Sequence, residues 1–213
     1  MSDSTNFVSR RGLIAAGLAA LPATAFAARG PVVTLLGDSI SSGYGLPAAA
    51  ALPAQLQAEL KARGVAAMVR NAGVAGDTTA GGLARVNFSV QPDTAVCVVA
   101  LGGNDLLQGL PPRTVQANLD RLLTRLKQRN KAVVLCGIEA PVEIGGGYAR
   151  EFNAVFPALA RTHRVPLYPN ILAGVARVPA LIQPDGLHPN ARGVQVIARR
   201  LAPMVAKALS QQA

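Results

Sequence analysis

Residues 31–45 read PVVTLLGDSISSGYG, an apolar run that stops at a glycine and is followed by three serines within four positions. The Val- and Leu-rich part, residues 31–37, predicts a strand covered on both faces, as in a parallel sheet. The polar residues after Gly37 indicate that the strand ends there and that a helix begins at Ser39. The stretch therefore predicts one strand–helix unit of an α/β fold.

The same alternation of short apolar runs and longer helical patterns continues along the chain. Four further strands are predicted, at residues 67–72, 94–102, 132–140 and 165–168. Helices are predicted at residues 47–63, 78–90, 112–129 and 147–163, and a final one from Pro189, which Pro203 should kink or end. This order predicts a single α/β domain, a three-layer α/β/α sandwich around a five-stranded parallel sheet.

The first 27 residues differ from the rest and are interpreted as an export signal. They contain the pair Arg10–Arg11, a mildly apolar Ala/Leu/Gly run, and the cleavage pattern A-x-A at residues 25–27. The alternative is a membrane anchor, but the run is shorter than the roughly 20 apolar residues of a span, and Pro22 interrupts it. The arginine pair resembles a twin-arginine signal, and the general secretory route is the alternative. The sequence thus predicts a domain of residues 28–213 that works in the periplasm or outside the cell.

The formal charge of +10 does not identify a partner. Without Arg10, Arg11 and Asp3 it is +9, and the remaining basic residues are scattered along helix faces. Nucleic-acid binding would require them to cluster with aromatic residues or in a known motif, so no nucleic-acid partner is expected. Attraction to anionic lipid is a weaker alternative, with at most peripheral membrane contact. A monomer is expected.

Cys97 and Cys136 each lie inside an apolar, strand-like run. Two buried free thiols are the favoured interpretation. A disulfide is the alternative, because an exported protein meets an oxidising compartment.

Polar and acid–base residues stand where the predicted strands end. Gly37-Asp38-Ser39 follows the first strand, residues 71–77 (NAGVAGD) complete the second, and residues 102–105 (GGND) end the third. A late loop, residues 185–189 (DGLHP), precedes the last helix. Ligands of such sheets bind beyond the carboxyl ends of the strands, so these residues are the candidate site.

The residue types fit serine hydrolysis. That chemistry needs a hydroxyl, an imidazole that takes its proton and a carboxylate that orients the imidazole, which Ser39, His188 and Asp185 can supply. It also needs donors to the developing oxyanion, available from the N–H groups of Ser39 and Gly76 and the amide of Asn104. Each residue alone has a simpler interpretation, such as Ser39 as a helix N-cap, and their order on successive strand ends favours the catalytic one.

These segments resemble the blocks of the GDSL/SGNH hydrolases. GDSISSGYG is similar to the first block with Ile40 in place of leucine, and NAGVAGDTTAGGLAR, LGGND and DGLHP are similar to the glycine, asparagine and Asp-x-x-His blocks. The linking stretches resemble the bacterial thioesterase I, or lysophospholipase, subgroup. The resemblance implies a flavodoxin-like sandwich, Ser39 as nucleophile, His188 as base and Asp185 as its partner. It further implies an oxyanion hole made of Ser39, Gly76 and Asn104. No G-x-S-x-G elbow surrounds Ser39, which disfavours the ordinary α/β-hydrolase arrangement.

The chain has two histidines, and only one suits a base. His163 lies in the basic stretch ARTHRVP, for which a surface position is expected. Two histidines do not suffice for a three-histidine zinc site, and EIGGGY lacks the Lys-Ser/Thr of a phosphate loop. No metal or cofactor is expected.

Apolar side chains border the proposed site and suggest an acyl substrate. The candidate substrate-binding residues are Leu106, Leu107, Leu110, Ile144, Tyr148 and Leu181. Simple packing of the loops is the alternative. The favoured function is an exported esterase acting on esters or thioesters of medium acyl chains, including lysophospholipids. A carbohydrate O-acetylesterase is the rival, which the absence of Trp disfavours. A non-catalytic lipid- or carbohydrate-binding module is a third alternative, against which the complete set of candidate catalytic residues argues.

Overall fold

The computed structural model describes residues 1, 2 and 30–212. The predicted export signal falls almost entirely on residues 3–29, outside the described residues.

Five parallel strands form the centre of the fold. They are β1 (Val32–Gly37), β2 (Met68–Gly73), β3 (Thr94–Ala100), β4 (Ala132–Cys136) and β5 (Leu167–Tyr168). Their spatial order is β2-β1-β3-β4-β5, and every neighbouring pair is parallel. This is the flavodoxin-like order. From β1 the chain first adds β2 on one side, and it then crosses to the other side and adds β3, β4 and β5 in turn. The predicted sheet is confirmed, although β4 ends four residues earlier than the apolar pattern indicates.

Seven α-helices cover the two faces of this sheet. They are α1 (Ser39–Ser42), α2 (Leu52–Ala62), α3 (Thr79–Ser89), α4 (Gly103–Leu107), α5 (Pro112–Gln128), α6 (Gly146–His163) and α7 (Ala191–Ser210). Helix α2 packs beside α7, while α5 packs between α3 and α6 on the opposite face. The three-layer prediction is therefore confirmed, and the described residues contain no helix both long and apolar enough to cross a bilayer.

The buried faces of the helices follow the apolar spacing. In α5 the leucines at 119, 122, 123 and 126 are fully buried together with Val115, against strands whose own side chains are buried on both faces. Each such side chain contributes about 1.5–3 kcal/mol to the free energy of unfolding.

Helix α7 begins two residues after Pro189, where its start was predicted, and it does not end at Pro203. Asn190 is the N-cap, and Ala191 is the first helical residue. The Asn190 side chain accepts hydrogen bonds from the N–H groups of Arg192 and Gly193. The helix continues through Pro203, because Leu201 and Val205 are buried on the same face and hold both halves against the core. The carbonyl of Arg199, which Pro203 leaves without its helical donor, accepts from Arg63 Nη2 at 3.4 Å.

The two cysteines are free thiols within the sheet, as favoured from the sequence. Both side chains are fully buried, and burial raises the pKa of each thiol to about 12.

The expectation for His163 was wrong. This residue ends α6 with only 7% of its surface exposed, and its Nε2 lies 2.7 Å from Asp120 Oδ1. The basic stretch is the last turn of α6, and His163 continues the buried stripe of Phe156, Leu159 and Ala160 at helical spacing.

Candidate active site

Ser39 is the first residue of α1, a single turn that follows β1 directly. Asp38 caps this turn, accepting from the Ile40 N–H through Oδ1 at 3.1 Å, and Gly43 ends it in the left-handed conformation (φ 81°). Ser39 is therefore not the N-cap, which leaves its hydroxyl available. It stands at the carboxyl edge of the sheet, beside the switch point between β1 and β3.

His188 connects Ser39 to Asp185 through its two ring nitrogens. Nδ1 lies 2.6 Å from Asp185 Oδ2, and Nε2 lies 2.9 Å from Ser39 Oγ. Because an ionised carboxylate can only accept, Nδ1 carries a proton. In the neutral ring Nε2 is then the acceptor, so the Ser39 hydroxyl donates to it. This arrangement can remove the proton of Ser39 when its oxygen attacks an electrophile.

The Asp185 carboxylate is held by its own loop. Its Oδ1 accepts from the N–H groups of His188 at 3.0 Å and Leu187 at 2.9 Å. These two bonds and the one to the imidazole lower the pKa of Asp185 to about 2. The carboxylate is therefore ionised, and fixed beside the ring, throughout the neutral pH range.

A second contact joins the Ser39 and His188 loops, through residues that the sequence did not single out. Gln183 Nε2 donates to the carbonyls of Tyr44 at 2.9 Å and Pro189 at 3.0 Å, and the Gln183 N–H donates to the carbonyl of His188 at 2.7 Å. The ring of Tyr44 packs against the imidazole with 4.7 Å between centroids. Gln183 thus fixes the base loop against the serine loop independently of the Ser39–His188 bond.

The three predicted oxyanion donors follow the ends of the three adjacent strands β1, β2 and β3. Neither the Ser39 N–H nor the Gly76 N–H makes a hydrogen bond within residues 30–212. Gly76 has φ of 81°, a conformation that glycine adopts without strain. The Asn104 amide uses one proton on the carbonyl of Asp77 at 2.9 Å, and its second proton remains available. The predicted oxyanion donors are therefore on neighbouring loops, and Asn104 is bonded directly to the loop of Gly76.

A buried carboxylate ties α4 to the same loop. Asp105 is fully buried and accepts from the N–H of Thr79 at 2.8 Å and from its hydroxyl at 2.6 Å. Asn118 Nδ2 donates to the Thr79 hydroxyl at 3.1 Å. The segments that carry Asn104 and Gly76 are thus linked twice, through the Asp77 carbonyl and through the Asp105–Thr79 contact.

Asp38 is a second buried carboxyl, adjacent to Ser39. It is 3% exposed, and burial raises its pKa to about 6, against the opposing effect of the Ile40 N–H and His188. Its Oδ2 faces the start of α4, since a Cβ on Gly103 would lie 3.1 Å from it.

This raised pKa predicts a stability that depends on pH. Between pH 4 and 6 the native state holds a proton on Asp38 that the unfolded chain, with a pKa near 3.8, releases. The free energy of unfolding should therefore fall as the pH rises through this window, by on the order of 2 kcal/mol. Asp38→Asn keeps the Oδ1 acceptor and removes the titration, so its stability relative to the wild type should increase from pH 4 to pH 7. Urea unfolding of both proteins at several pH values measures this difference.

Groups that both proteins share cancel in that comparison, and Asp185 titrates below the window. A difference between the two proteins that is constant from pH 4 to pH 7 would contradict the raised pKa of Asp38.

The six candidate substrate-binding residues differ in how exposed they are. Leu107 and Ile144 are 62% and 50% exposed, on α4 and on the 3₁₀ turn Val142–Ile144. Leu106, Leu110 and Leu181 are half-buried against the core, as is Tyr148, whose hydroxyl donates to the Leu110 carbonyl at 2.9 Å. Four of the six thus also pack against the core, and substrate contact stays a prediction for all six.

A cavity of about 510 Å³ lies beside the base loop, which carries Asp185 and His188. Its lining residues are Arg177, Val178, Pro179, Ile182, Gln183, Pro184 and Gly186. Loop conformation alone creates it, so no periodic sequence pattern indicated it. Among the described residues, no three His, Cys, Asp or Glu side chains are grouped to hold a metal ion.

At the switch point of the flavodoxin-like sheet, a serine is hydrogen-bonded to an imidazole, which is hydrogen-bonded to a carboxylate. This arrangement is typical of a hydrolase. The sequence profile of the GDSL-like lipase/acylhydrolase family matches residues 35–196. The chain belongs to this family, and it is an enzyme that hydrolyses ester bonds.

Two curated proteins and one solved structure illustrate the similarity. Esterase TesA of Pseudomonas aeruginosa is 36% identical over 180 residues, which are 84% of this chain and 90% of the relative. The thioesterase 1/protease 1/lysophospholipase L1 of Escherichia coli is 36% identical over 184 residues, 84% of this chain and 87% of the relative. The crystal structure of AlinE4, an SGNH-hydrolase family esterase, is 43% identical with a TM-score of 0.72, covering 84% of this chain and 97% of that one.

Proposed function

We propose that this chain is an exported serine esterase that cleaves esters and thioesters of medium-length acyl chains, lysophospholipids among them. The observation that carries the proposal is the continuous connection from Ser39 Oγ through both nitrogens of His188 to Asp185, with separations of 2.9 and 2.6 Å. Such a connection activates a hydroxyl that is otherwise a weak nucleophile.

In the proposed reaction, Ser39 Oγ attacks the acyl carbonyl carbon while its proton moves to His188 Nε2. The tetrahedral intermediate collapses as the imidazolium gives that proton to the leaving oxygen or sulfur, and an acyl-enzyme remains. A water molecule then attacks the acyl carbon, with His188 again taking the proton. Collapse of the second intermediate returns the proton to Ser39 and releases the carboxylic acid.

The negative charge of both intermediates falls on the former carbonyl oxygen. The N–H groups of Ser39 and Gly76 and the free proton of Asn104 are the proposed donors to it. Support comes from the two unpaired N–H groups and from the bond between Asn104 and the Gly76 loop. Donors that are fixed before the reaction stabilise such a charge without the cost of reorganisation.

The proposal of an acyl substrate rests on the exposed apolar side chains beside the site and on the relatives, whose names include a thioesterase and a lysophospholipase. The proposal of export rests on the arginine pair and the A-x-A pattern of residues 1–27.

The test is a series of p-nitrophenyl esters from acetate to palmitate, with the chain recovered after export and identified by its intact mass. We expect the intact mass to correspond to residues 28–213. A mass that includes residues 1–27 would contradict cleavage of the signal. We further expect kcat/KM to peak at medium chains and to be absent in Ser39→Ala. Activity restricted to acetate would contradict the acyl-chain proposal and direct attention to sugar acetates.

A further inference from the structure

Arg85 of α3 is a largely buried cation that contacts the loop carrying Gly76, and it has no part in the reaction described above. Its Nε donates to Asp77 Oδ2 at 2.7 Å, in an ion pair whose side chains are 19% and 11% exposed. Its Nη1 donates to the carbonyl of Ala72 at 2.7 Å and its Nη2 to that of Gly37 at 2.9 Å. One guanidinium therefore contacts three segments, which are the end of β1, the end of β2 and, through the Asp77 carboxylate, the loop that follows β2.

Two of these segments are the adjoining ends of β1 and β2. In the sheet register Leu36 is opposite Ala72 and Gly37 is opposite Gly73, so Arg85 bonds carbonyls at the carboxyl ends of two neighbouring strands. Ser39 follows the first strand by two residues, and Gly76 follows the second by three. Because the guanidinium is planar with donors in a fixed fork, it sets the spacing of the points it contacts.

The loop between β2 and α3, residues 74–78, is held at its far end by the Thr79–Asp105 contact and within its length by two backbone hydrogen bonds. The Val74 N–H donates to the Gly37 carbonyl at 3.0 Å, and the Asp77 N–H closes a turn onto Val74 at 3.1 Å. Asp77 is the point where the loop is held from both sides. Its carboxylate pairs with Arg85, and its carbonyl accepts from Asn104 at 2.9 Å. A displacement of Asp77 would therefore move both Gly76 and Asn104.

We propose that Arg85 is a positioning residue for the oxyanion hole, acting through Asp77. This inference rests on the proposed function. Arg85 does not touch substrate; it holds the Gly76 N–H and the Asn104 amide in the geometry that the charged intermediate requires. Its removal should affect the transition state more than substrate binding.

The test compares Arg85→Met with Arg125→Met. Arg125 of α5 also donates a hydrogen bond to α3, at the Leu83 carbonyl (2.9 Å). Within the described residues it makes no hydrogen bond to the loop between β2 and α3. We expect Arg85→Met to lower kcat roughly 10- to 10²-fold with KM nearly unchanged, as for a displacement of about 1 Å. Inhibition by an acyl trifluoromethyl ketone, which forms a charged tetrahedral adduct, should weaken by the same factor. Arg125→Met should retain wild-type values for both.

One further variant distinguishes positioning by the guanidinium fork from a simple effect of the Arg85 charge. Arg85→Lys keeps the charge but cannot form the fork, and it should be nearly as slow as Arg85→Met; full activity in Arg85→Lys would overturn positioning. If Arg85→Met does not fold, Asp77→Asn provides the same measurement, because it removes the ion pair and keeps the backbone carbonyl.

The inference and the function fail in different ways. Equal activity in the wild type and Ser39→Ala would refute the proposed function. If Ser39→Ala is inactive but Arg85→Met, or Asp77→Asn, has wild-type kcat and inhibitor affinity, the role of Arg85 is refuted and the proposed function stands.

Discussion

Replacing Ser39 by alanine should reduce kcat/KM on a medium-chain p-nitrophenyl ester by roughly 10⁴-fold or more, because no acyl-enzyme can form without the hydroxyl. The fold should be unaffected. The cap of α1 comes from Asp38, and the only hydrogen bond of Ser39 Oγ within the described residues is the one to His188. Steady-state kinetics measures the loss, and intact mass after treatment with a fluorophosphonate measures covalent labelling.

Ser42→Ala is the matched control. It lies in the same turn, and within residues 30–212 its hydroxyl donates only to the Ser39 carbonyl, at 3.1 Å. We expect it to retain labelling and most of the activity. Labelling of the Ser39→Ala variant with one fluorophosphonate equivalent would assign the nucleophile to another residue.

Replacing Asn104 by alanine should lower kcat roughly 10²- to 10³-fold with little change in KM, the loss typical of one oxyanion donor. The reason is that the second amide proton of Asn104 is unused in the resting enzyme and would be engaged only when charge develops. Steady-state kinetics on the same ester separates kcat from KM.

Asn118→Ala serves as the control for Asn104. Its amide supports the same region through the Thr79 hydroxyl, at 3.1 Å, but it belongs to α5 and is one contact further from the reacting atoms. We expect an effect of a few-fold at most. If Asn104→Ala raised KM and left kcat intact, Asn104 would bind substrate rather than stabilise the transition state.

Local signals explain why the sheet and the catalytic loops were predictable. Strands buried on both faces leave continuous apolar runs such as residues 94–100, and amphipathic helices leave the leucine spacing of α5. The three residues of the proposed triad stand at the ends of such elements, where parallel topology brings them together. Ser39 and His188 are 149 positions apart, and the sequence nevertheless placed them at one edge.

Contacts that depend on three-dimensional proximity were not predictable. His163 is in a basic stretch, yet its place on the inner face of α6 follows from where that helix packs. Arg85 and Gln183 carry no periodic signal, because their partners are backbone carbonyls, which every residue has. The cavity beside the base loop follows from the path of residues 177–186, for which no propensity rule gives a conformation.

The packing of α2 against α7 has a consequence for the order in which activity can arise. All five strands lie before residue 169, so a nascent or truncated chain could complete its sheet while His188 and α7 are still missing. In the proposed mechanism Ser39 would then have no base, and such a chain would not hydrolyse esters. The segment after β5 brings the imidazole to the serine through the Gln183 hydrogen bond to the Tyr44 carbonyl and the packing of α7 beside α2. On this proposal ester cleavage reports finished folding, and catalytic competence depends on the residues that follow β5.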